Sequence, residues 1–169
     1  MSDDSNTDSE ASSSSSQVSP ATESVLHRAQ AKKEAMANMR TLVLSYNDLG
    51  PLALAPALME IKNLRELDLS SIDIGAYQAP EIVHVLAEMK NLSKLDMRDI
   101  DLDPQGALAI APALMEMKNL RELCLSFNDL GPEGALTIAP ALMKTKNLRV
   151  LYLGVNFIGP QGALAIALR

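Results

Sequence analysis

A unit of 28 residues recurs along most of this chain and constrains its fold more than any other feature. The dipeptide Asn-Leu returns at this spacing, at Asn63-Leu64, Asn91-Leu92, Asn119-Leu120 and Asn147-Leu148. An earlier copy begins near Met39 and is three residues shorter in its second half. Repeats of this length bury their apolar side chains only by stacking on one another. The sequence therefore predicts a solenoid of five units over residues 39–169, the last of them truncated.

The first half of each unit carries the pattern Leu-x-x-Leu-x-Leu-x-x-Asn. In the fourth unit, the alternation of Leu123 and Leu125 predicts a short strand with one buried face. Strands of this length gain stability by pairing side by side in a parallel sheet. The central leucines are then predicted to form one buried row, made by Leu67, Leu95, Leu123 and Leu151.

The Asn that ends this pattern is predicted to bond free backbone groups where the chain leaves the strand. Asn47, Asn128 and Asn156 occupy this position, whereas units two and three carry Ile72 and Ile100. The row of side-chain hydrogen bonds is therefore expected to be interrupted in the middle of the stack.

The second half of each unit is predicted to be helical. In the fourth unit, Gly131-Pro132-Glu133-Gly134 indicates a turn and a helix start. The predicted buried stripe that follows is Ala135, Leu136, Ile138, Ala139, Leu142 and Met143. Proline within a helix removes a backbone hydrogen bond at a cost of about 3 kcal/mol unless the helix bends. A kink or a restart, with the proline facing solvent, is therefore expected at Pro56, Pro112 and Pro140.

Residues 39–169 resemble the ribonuclease-inhibitor-like subfamily of leucine-rich-repeat proteins, and the segment NDLGPEGALTIAPAL, residues 128–142, carries the similarity best. The resemblance implies an α/β fold, a leucine-rich-repeat solenoid with a curved parallel sheet on the concave side and helices on the convex side. The subfamily includes inhibitors, GTPase activators, innate-immune sensor domains and bacterial effectors, so the fold alone does not fix the function.

Two segments precede the repeats. Residues 1–18 are rich in Ser and Asp and contain no Lys or Arg, which predicts a disordered acidic tail. The tail has three interpretations: a solubilising segment, a phosphorylated segment or an export signal. Ser19-Pro20 is a favourable helix start, so residues 19–38 are predicted to form a helix that caps the first repeat.

No pattern of catalytic or metal-binding residues is found in the sequence. The Gly-Pro-x-Gly segments lack the Lys-Ser/Thr of a phosphate-binding loop, and no pair of histidines has metal-ligand spacing. Cys124, the single cysteine, is either a tolerated small residue or a reactive nucleophile. We therefore expect no enzymatic activity, no cofactor and no metal.

Charge and hydropathy limit the classes of partner that we expect for this chain. The net charge is −6, without the clustered positive charge that nucleic acids or anionic membranes attract. Neither a secretory signal nor a membrane-spanning stretch is evident. We therefore expect a cytoplasmic protein, or alternatively an exported effector, that binds another protein and neither nucleic acid nor membrane.

The concave face is the predicted binding surface, because its outward strand positions vary between units while the leucines repeat. The candidate partner-binding residues are Glu66, Asp68, Lys94, Asp96, Arg98, Glu122 and Tyr152. Their acidic members either attract a basic partner or form an ordinary solvated surface. Tyr46, Phe127 and Phe157 follow the strands and are candidate anchors for a partner. For Phe127 and Phe157 the alternative is a core position beneath the turn.

Three alternatives to a general protein-interaction module remain open from the sequence. The Ser-rich tail resembles bacterial export signals, which suggests an effector, and the repeats also resemble GTPase activators. The final unit, ending in AIALR, lacks a cap, which suggests a fragment of a larger leucine-rich-repeat protein or self-association through the uncapped carboxyl-terminal end.

Overall fold

The computed structural model describes residues 20–47, 51–61 and 63–168. The chain separates into two compact units, residues 1–32 and residues 33–169, and the repeats lie in the second. The predicted Ser-rich tail lies outside the described residues. The elements follow in the order α1 (Pro20–Asn38), β1 (Thr41–Val43), α2 (Pro51–Met59), β2 (Glu66–Asp68), α3 (Gly75–Glu88), β3 (Lys94–Asp96), α4 (Pro104–Glu116), β4 (Glu122–Cys124), α5 (Gly131–Lys144), β5 (Val150–Tyr152) and α6 (Gly159–Ala167).

Helix α1 agrees in extent with the helix predicted over residues 19–38. Near its carboxyl-terminal end, Met36 packs against the repeat core, and the Asn63 side-chain amide donates to the Ala37 carbonyl at 2.9 Å. Both contacts lie within the compact unit of residues 33–169. That this helix caps the first repeat remains a prediction.

The five strands form one parallel sheet in chain order, as the repeat predicts. The register places the central leucines Leu42, Leu67, Leu95, Leu123 and Leu151 side by side. The inner three are at most 1% exposed. Leu42 and Leu151 are only partly buried, because an end strand has a neighbour on one side alone.

Helices α2 to α6 pack on their sequence neighbours and close the core behind the sheet. Small residues set the distance between helices α5 and α6. A Cβ atom added to Gly162 would lie 2.6 Å from the Cβ of Ala135, closer than two carbon atoms can approach. Glycine at this position therefore lets adjacent helices come together closely enough to share one leucine-filled interior.

The predicted helical stripe is only partly correct. Ala135, Ile138 and Leu142 are buried, but Leu136 is 49% and Met143 57% exposed. Residues spaced by three and four share one face of a helix, and Leu136 and Met143 fall to the side of that face. Leu108 and Leu164, at the position of Leu136 in the neighbouring units, are also exposed.

The internal prolines lie on the solvent side, as predicted, but the expected restart is wrong. Helices α2, α4 and α5 each continue through their proline. In α4, Pro112 leaves the carbonyl of Leu108 without an amide partner. Leu108 lies on the exposed side of the helix. Water can therefore donate a hydrogen bond to its carbonyl in place of the missing amide, and the helix need not break.

Asn128 organises the turns in the middle of the stack. Its Nδ2 donates to the carbonyls of Met97 at 3.0 Å and Leu125 at 2.9 Å. Its Oδ1 accepts from the amides of Ile100 at 3.1 Å and Leu102 at 3.0 Å. The predicted interruption at Ile100 is therefore bridged, because the next unit's Asn reaches back to the turn that lacks its own.

The third residue after each strand has a positive φ in every unit. Tyr46, Ser71, Asp99, Phe127 and Val155 all have φ between 54° and 58°. In the first four units the amide of this residue donates to a carbonyl of the next unit, at 2.8–3.2 Å. The pairing between units continues past the strands and holds a backbone conformation that side chains disfavour.

Replacing Val155 with Asn is expected to raise the free energy of unfolding by about 0.5–1 kcal/mol, because Asn tolerates the left-handed region far better than a β-branched residue does. Val155 is 55% exposed, so little packing is lost. Urea denaturation followed by circular dichroism measures the change. The same substitution at Val43, which lies in an extended strand, is the control and should give no gain.

Candidate protein-binding surface

The strand face consists of the residues on either side of the central leucine in each strand. Successive side chains of a strand point to opposite sides of the sheet, so burial of the leucines turns both neighbours outward. The face is made of two cross-strand rows, Thr41, Glu66, Lys94, Glu122 and Val150 in one and Val43, Asp68, Asp96, Cys124 and Tyr152 in the other.

Charges alternate in the first row. Lys94 lies in register between Glu66 and Glu122, and its Nζ is 2.8 Å from Oε1 of Glu122. This hydrogen bond and the surrounding carboxylates raise the pKa of Lys94. A raised lysine pKa contributes stability that is complete below the unfolded-state value and is lost only as the pH rises above it. The pair therefore persists throughout the neutral range.

Two carboxylates are neighbours in the second row, where Asp68 pairs in register with Asp96. Each is compensated differently. Asp68 Oδ1 accepts from the amide of Ser70 at 2.9 Å and from its hydroxyl at 2.7 Å. Asp96 accepts from the Arg98 guanidinium at 2.9 Å, and this carboxylate raises the pKa of Arg98. Local donors thus allow like charges to stand side by side.

Five of the seven predicted partner-binding residues line one shallow depression of about 300 Å³ on the strand face. They are Glu66, Asp68, Lys94, Asp96 and Arg98. Their three carboxylates and two cations leave the depression with one net negative charge. Glu122 adjoins it through Lys94, whereas Tyr152 lies on β5 and outside the depression.

Cys124 is buried, with 9% of its surface exposed, although it occupies an outward position. Asp96 and Tyr152 flank it in the second row. Its thiol is free, but burial gives reagents little access, which favours the tolerated small residue over the nucleophile. Within residues 20–47, 51–61 and 63–168, no group of three His, Cys, Asp or Glu is placed to hold a metal ion.

The aromatic rim consists of Tyr46, Phe127 and Phe157, in the turns that follow the strands. Their exposed fractions are 84%, 56% and 73%, so the interpretation as core residues beneath the turns is wrong. Each has a positive φ. This turn conformation directs their rings away from the leucine-filled interior and into solvent.

Two features were missed in the sequence. One is the exposed row of Leu108, Leu136 and Leu164 on the helices. The other is a groove at the edge where the strands begin, lined by Arg40, Arg65 and Arg121 together with side-chain amides. The signal for both was the same 28-residue spacing that revealed the leucines, applied to residues outside the buried pattern.

Comparisons with known proteins agree with this architecture. A family model described as Leucine Rich repeat matches residues 116–139. The solved structure of Leiomodin-1 Actin-Binding Site 2 (ABS2) is similar with a TM-score of 0.64 and 19% identity, over 89% of this chain and 87% of that one. The search of curated proteins gives no match. None of the described helices is both long and apolar enough to cross a bilayer. The chain has the fold of a leucine-rich-repeat solenoid.

Proposed function

We propose that this chain is a non-enzymatic protein-interaction module that binds its partner on the concave strand face and the adjoining aromatic rim. The observation that carries the proposal is a fixed frame with exposed side chains. The central leucines hold the strands in register, and all the residues beside them except Cys124 are exposed or half-buried on the strand face.

Exposed apolar side chains support a protein as the partner. Val43 is 59% and Tyr152 50% exposed on the strand face, and the aromatic rim lies along its edge. Burying large aromatic side chains is a major source of binding free energy in protein interfaces. Apolar surface of this kind on a water-exposed face is typical of an interaction site.

The depression beside this apolar surface indicates the charge of the partner. Lys94 and Arg98 are already paired with Glu122 and Asp96, which leaves Glu66 and Asp68 as the carboxylates without a cationic partner among the described residues. A Lys or Arg side chain of the partner would supply the cation that Glu66 and Asp68 lack. We therefore expect a partner surface with one basic group beside apolar residues.

The similarity to a solved actin-binding site supports the class of function, since the two chains share a fold and that structure is named for binding a protein. Actin is accordingly one of the first proteins to test. Fold similarity at this level of identity does not identify the partner.

Affinity capture from the native host, quantified by mass spectrometry, tests the proposal with paired variants. The strand-face variant carries Glu66→Ser and Tyr152→Ser, and the rim variant carries Phe127→Ser and Phe157→Ser. All four side chains are exposed or half-buried, so these variants should fold. Specific partners are expected to fall about ten-fold or more in recovery, because hot-spot aromatic residues contribute about 2 kcal/mol or more each.

The matched control carries Leu108→Ser and Leu136→Ser on the exposed helix surface. It removes comparable apolar area from the opposite side of the protein and should retain the same partners. Equal recovery of every captured protein by all variants would overturn the proposal, as would loss of the partners with the helix-surface control alone.

A further inference from the structure

A row of residues directly before the strands is held in register by the backbone. The amide of Arg65 donates to the carbonyl of Arg40 at 2.7 Å, and that of Ser93 to Arg65 at 2.7 Å. The row continues through Arg121 and Arg149, with bonds of 2.8 Å each. Four of the five side chains in this arginine row are therefore guanidiniums, carried at fixed intervals across the sheet.

Beside the arginine row runs a second row, of side-chain amides. Asn119 and Asn147 each donate to a backbone carbonyl of the preceding unit, at 2.8 and 2.7 Å. Asn63 donates to the Ala37 carbonyl of helix α1 at 2.9 Å. These bonds anchor the amides and tie the units together. Arginines and amides together line a groove of about 460 Å³, whose walls present polar groups over its whole length.

The guanidiniums of this groove have no acidic partner among the described residues. Among the described residues, the hydrogen bonds of the Arg40 guanidinium go to the carbonyls of Met39 and Asn63, at 3.5 and 3.4 Å. Arg65, Arg121 and Arg149 are exposed and form none of the ion pairs in the described part of the chain. The guanidiniums of the arginine row are therefore available to bind carboxylates of another molecule.

Charge is divided between the two edges of the sheet. In the described segments that lead into the strands, residues 39–40, 60–61, 63–65, 88–93, 116–121 and 144–149, eight Lys and Arg face three Glu. In the turns that follow the strands, residues 44–47, 69–74, 97–103, 125–130 and 153–158, five Asp face one Arg. The expectation that the chain has no clustered positive charge is therefore wrong, because the overall negative charge conceals one strongly basic edge.

We propose that this groove binds an extended acidic peptide segment of a partner protein. Neighbouring strands lie about 4.8 Å apart, so the arginine row spans roughly 19 Å, the length of about six extended residues. Guanidiniums bind carboxylates through paired hydrogen bonds. The site is separate from the strand face and does not depend on the function proposed for it.

Two observations favour a peptide over a nucleic acid. The exposed aromatic residues on which bases could stack lie on the strand face and in the rim, and none lines the groove. Glu88 and Glu116 interleave with the lysines of this edge and would repel a continuous row of phosphates. The carboxylates of a peptide are separate groups, which can be placed away from Glu88 and Glu116.

Fluorescence anisotropy with a labelled oligoglutamate peptide tests the proposal on the full chain. The variant Arg65→Ser/Arg121→Ser should bind about ten-fold more weakly, because two charge-assisted contacts are lost. Serine already occupies the row at Ser93, where its hydroxyl donates to the Arg65 carbonyl at 2.9 Å. The substitutions to Ser should therefore be accommodated at these positions. The converse variant, Ser93→Arg, completes the row and should tighten binding by about three-fold.

The matched control, Arg28→Ser/Lys32→Ser, removes the same charge from exposed positions of helix α1 and should leave the affinity unchanged. Equal weakening by the control would overturn the proposal, because it would show attraction by net charge alone. Tighter binding of labelled oligothymidylate than of the peptide, abolished by Arg65→Ser/Arg121→Ser, would overturn it in favour of a nucleic acid. Because the probe is a defined peptide, this result is independent of the affinity capture.

Discussion

Replacing Asn128 with Ala is expected to lower the free energy of unfolding by about 3 kcal/mol, because buried backbone groups that lose their partner cost 1–3 kcal/mol each. Asn128 is only 6% exposed. Its side chain is the hydrogen-bond partner of the Ile100 and Leu102 amides and of the Met97 carbonyl. The Leu125 carbonyl also accepts from Asn128 but keeps a second donor, Asn156 Nδ2, at 2.7 Å. Urea denaturation followed by circular dichroism measures the loss.

Two variants separate the hydrogen bonds of Asn128 from its packing. Asn128→Ile introduces the residue that units two and three carry at this position, where Ile72 and Ile100 are 1% exposed. It restores apolar volume but not the bonds, so we expect it to remain about 2 kcal/mol less stable than the natural chain. If Asn128→Ile were as stable as the natural chain, the bonds between units would not be what Asn128 contributes.

Asn47→Ala is the matched control at the first unit. Asn47 is exposed, and it donates to the carbonyls of Leu44 at 2.8 Å and Ser45 at 3.4 Å. Water can replace both bonds, so the loss should stay below about 1 kcal/mol. A loss at Asn47 as large as that at Asn128 would contradict the role assigned to burial between units.

Replacing Leu95 with Ala is expected to cost about 2–5 kcal/mol, the range for removing a large side chain from a packed core. Leu95 has no exposed surface and lies in the centre of the leucine row, with Leu67 on one side and Leu123 on the other. In a stack of units that are unstable alone, a defect in the middle also weakens the coupling between the two ends. Hydrogen exchange should therefore accelerate in the strands on both sides.

Leu151→Ala provides the control at the end of the same row. Leu151 is only partly buried, and the change should cost about 1–2 kcal/mol, in proportion to the smaller apolar area removed. Exchange should accelerate there in β5 more than in β2. Equal losses at Leu95 and Leu151 would mean that the five strands do not share one continuous core.

The sequence by itself determined the order of the elements and the identity of the buried row. The 28-residue spacing predicted the five strands, and the register pairs Leu67, Leu95, Leu123 and Leu151 as expected. The outward rows followed from the alternation of side chains along a strand. These features are either local or repeat at a fixed spacing along the chain, so they can be predicted from the sequence alone.

Only the tertiary structure decided which of the remaining residues meet. The ion pairs of Lys94 and Arg98, the burial of Cys124 and the exposure of Leu136 depend on distances between units and on the angle at which each helix packs. In the aromatic rim, the exposure of Tyr46 and Phe127 depends on a positive φ that is held by hydrogen bonds to the next unit. Stacking joins residues that are remote in sequence, and those contacts set exposure, pairing and charge at the surface.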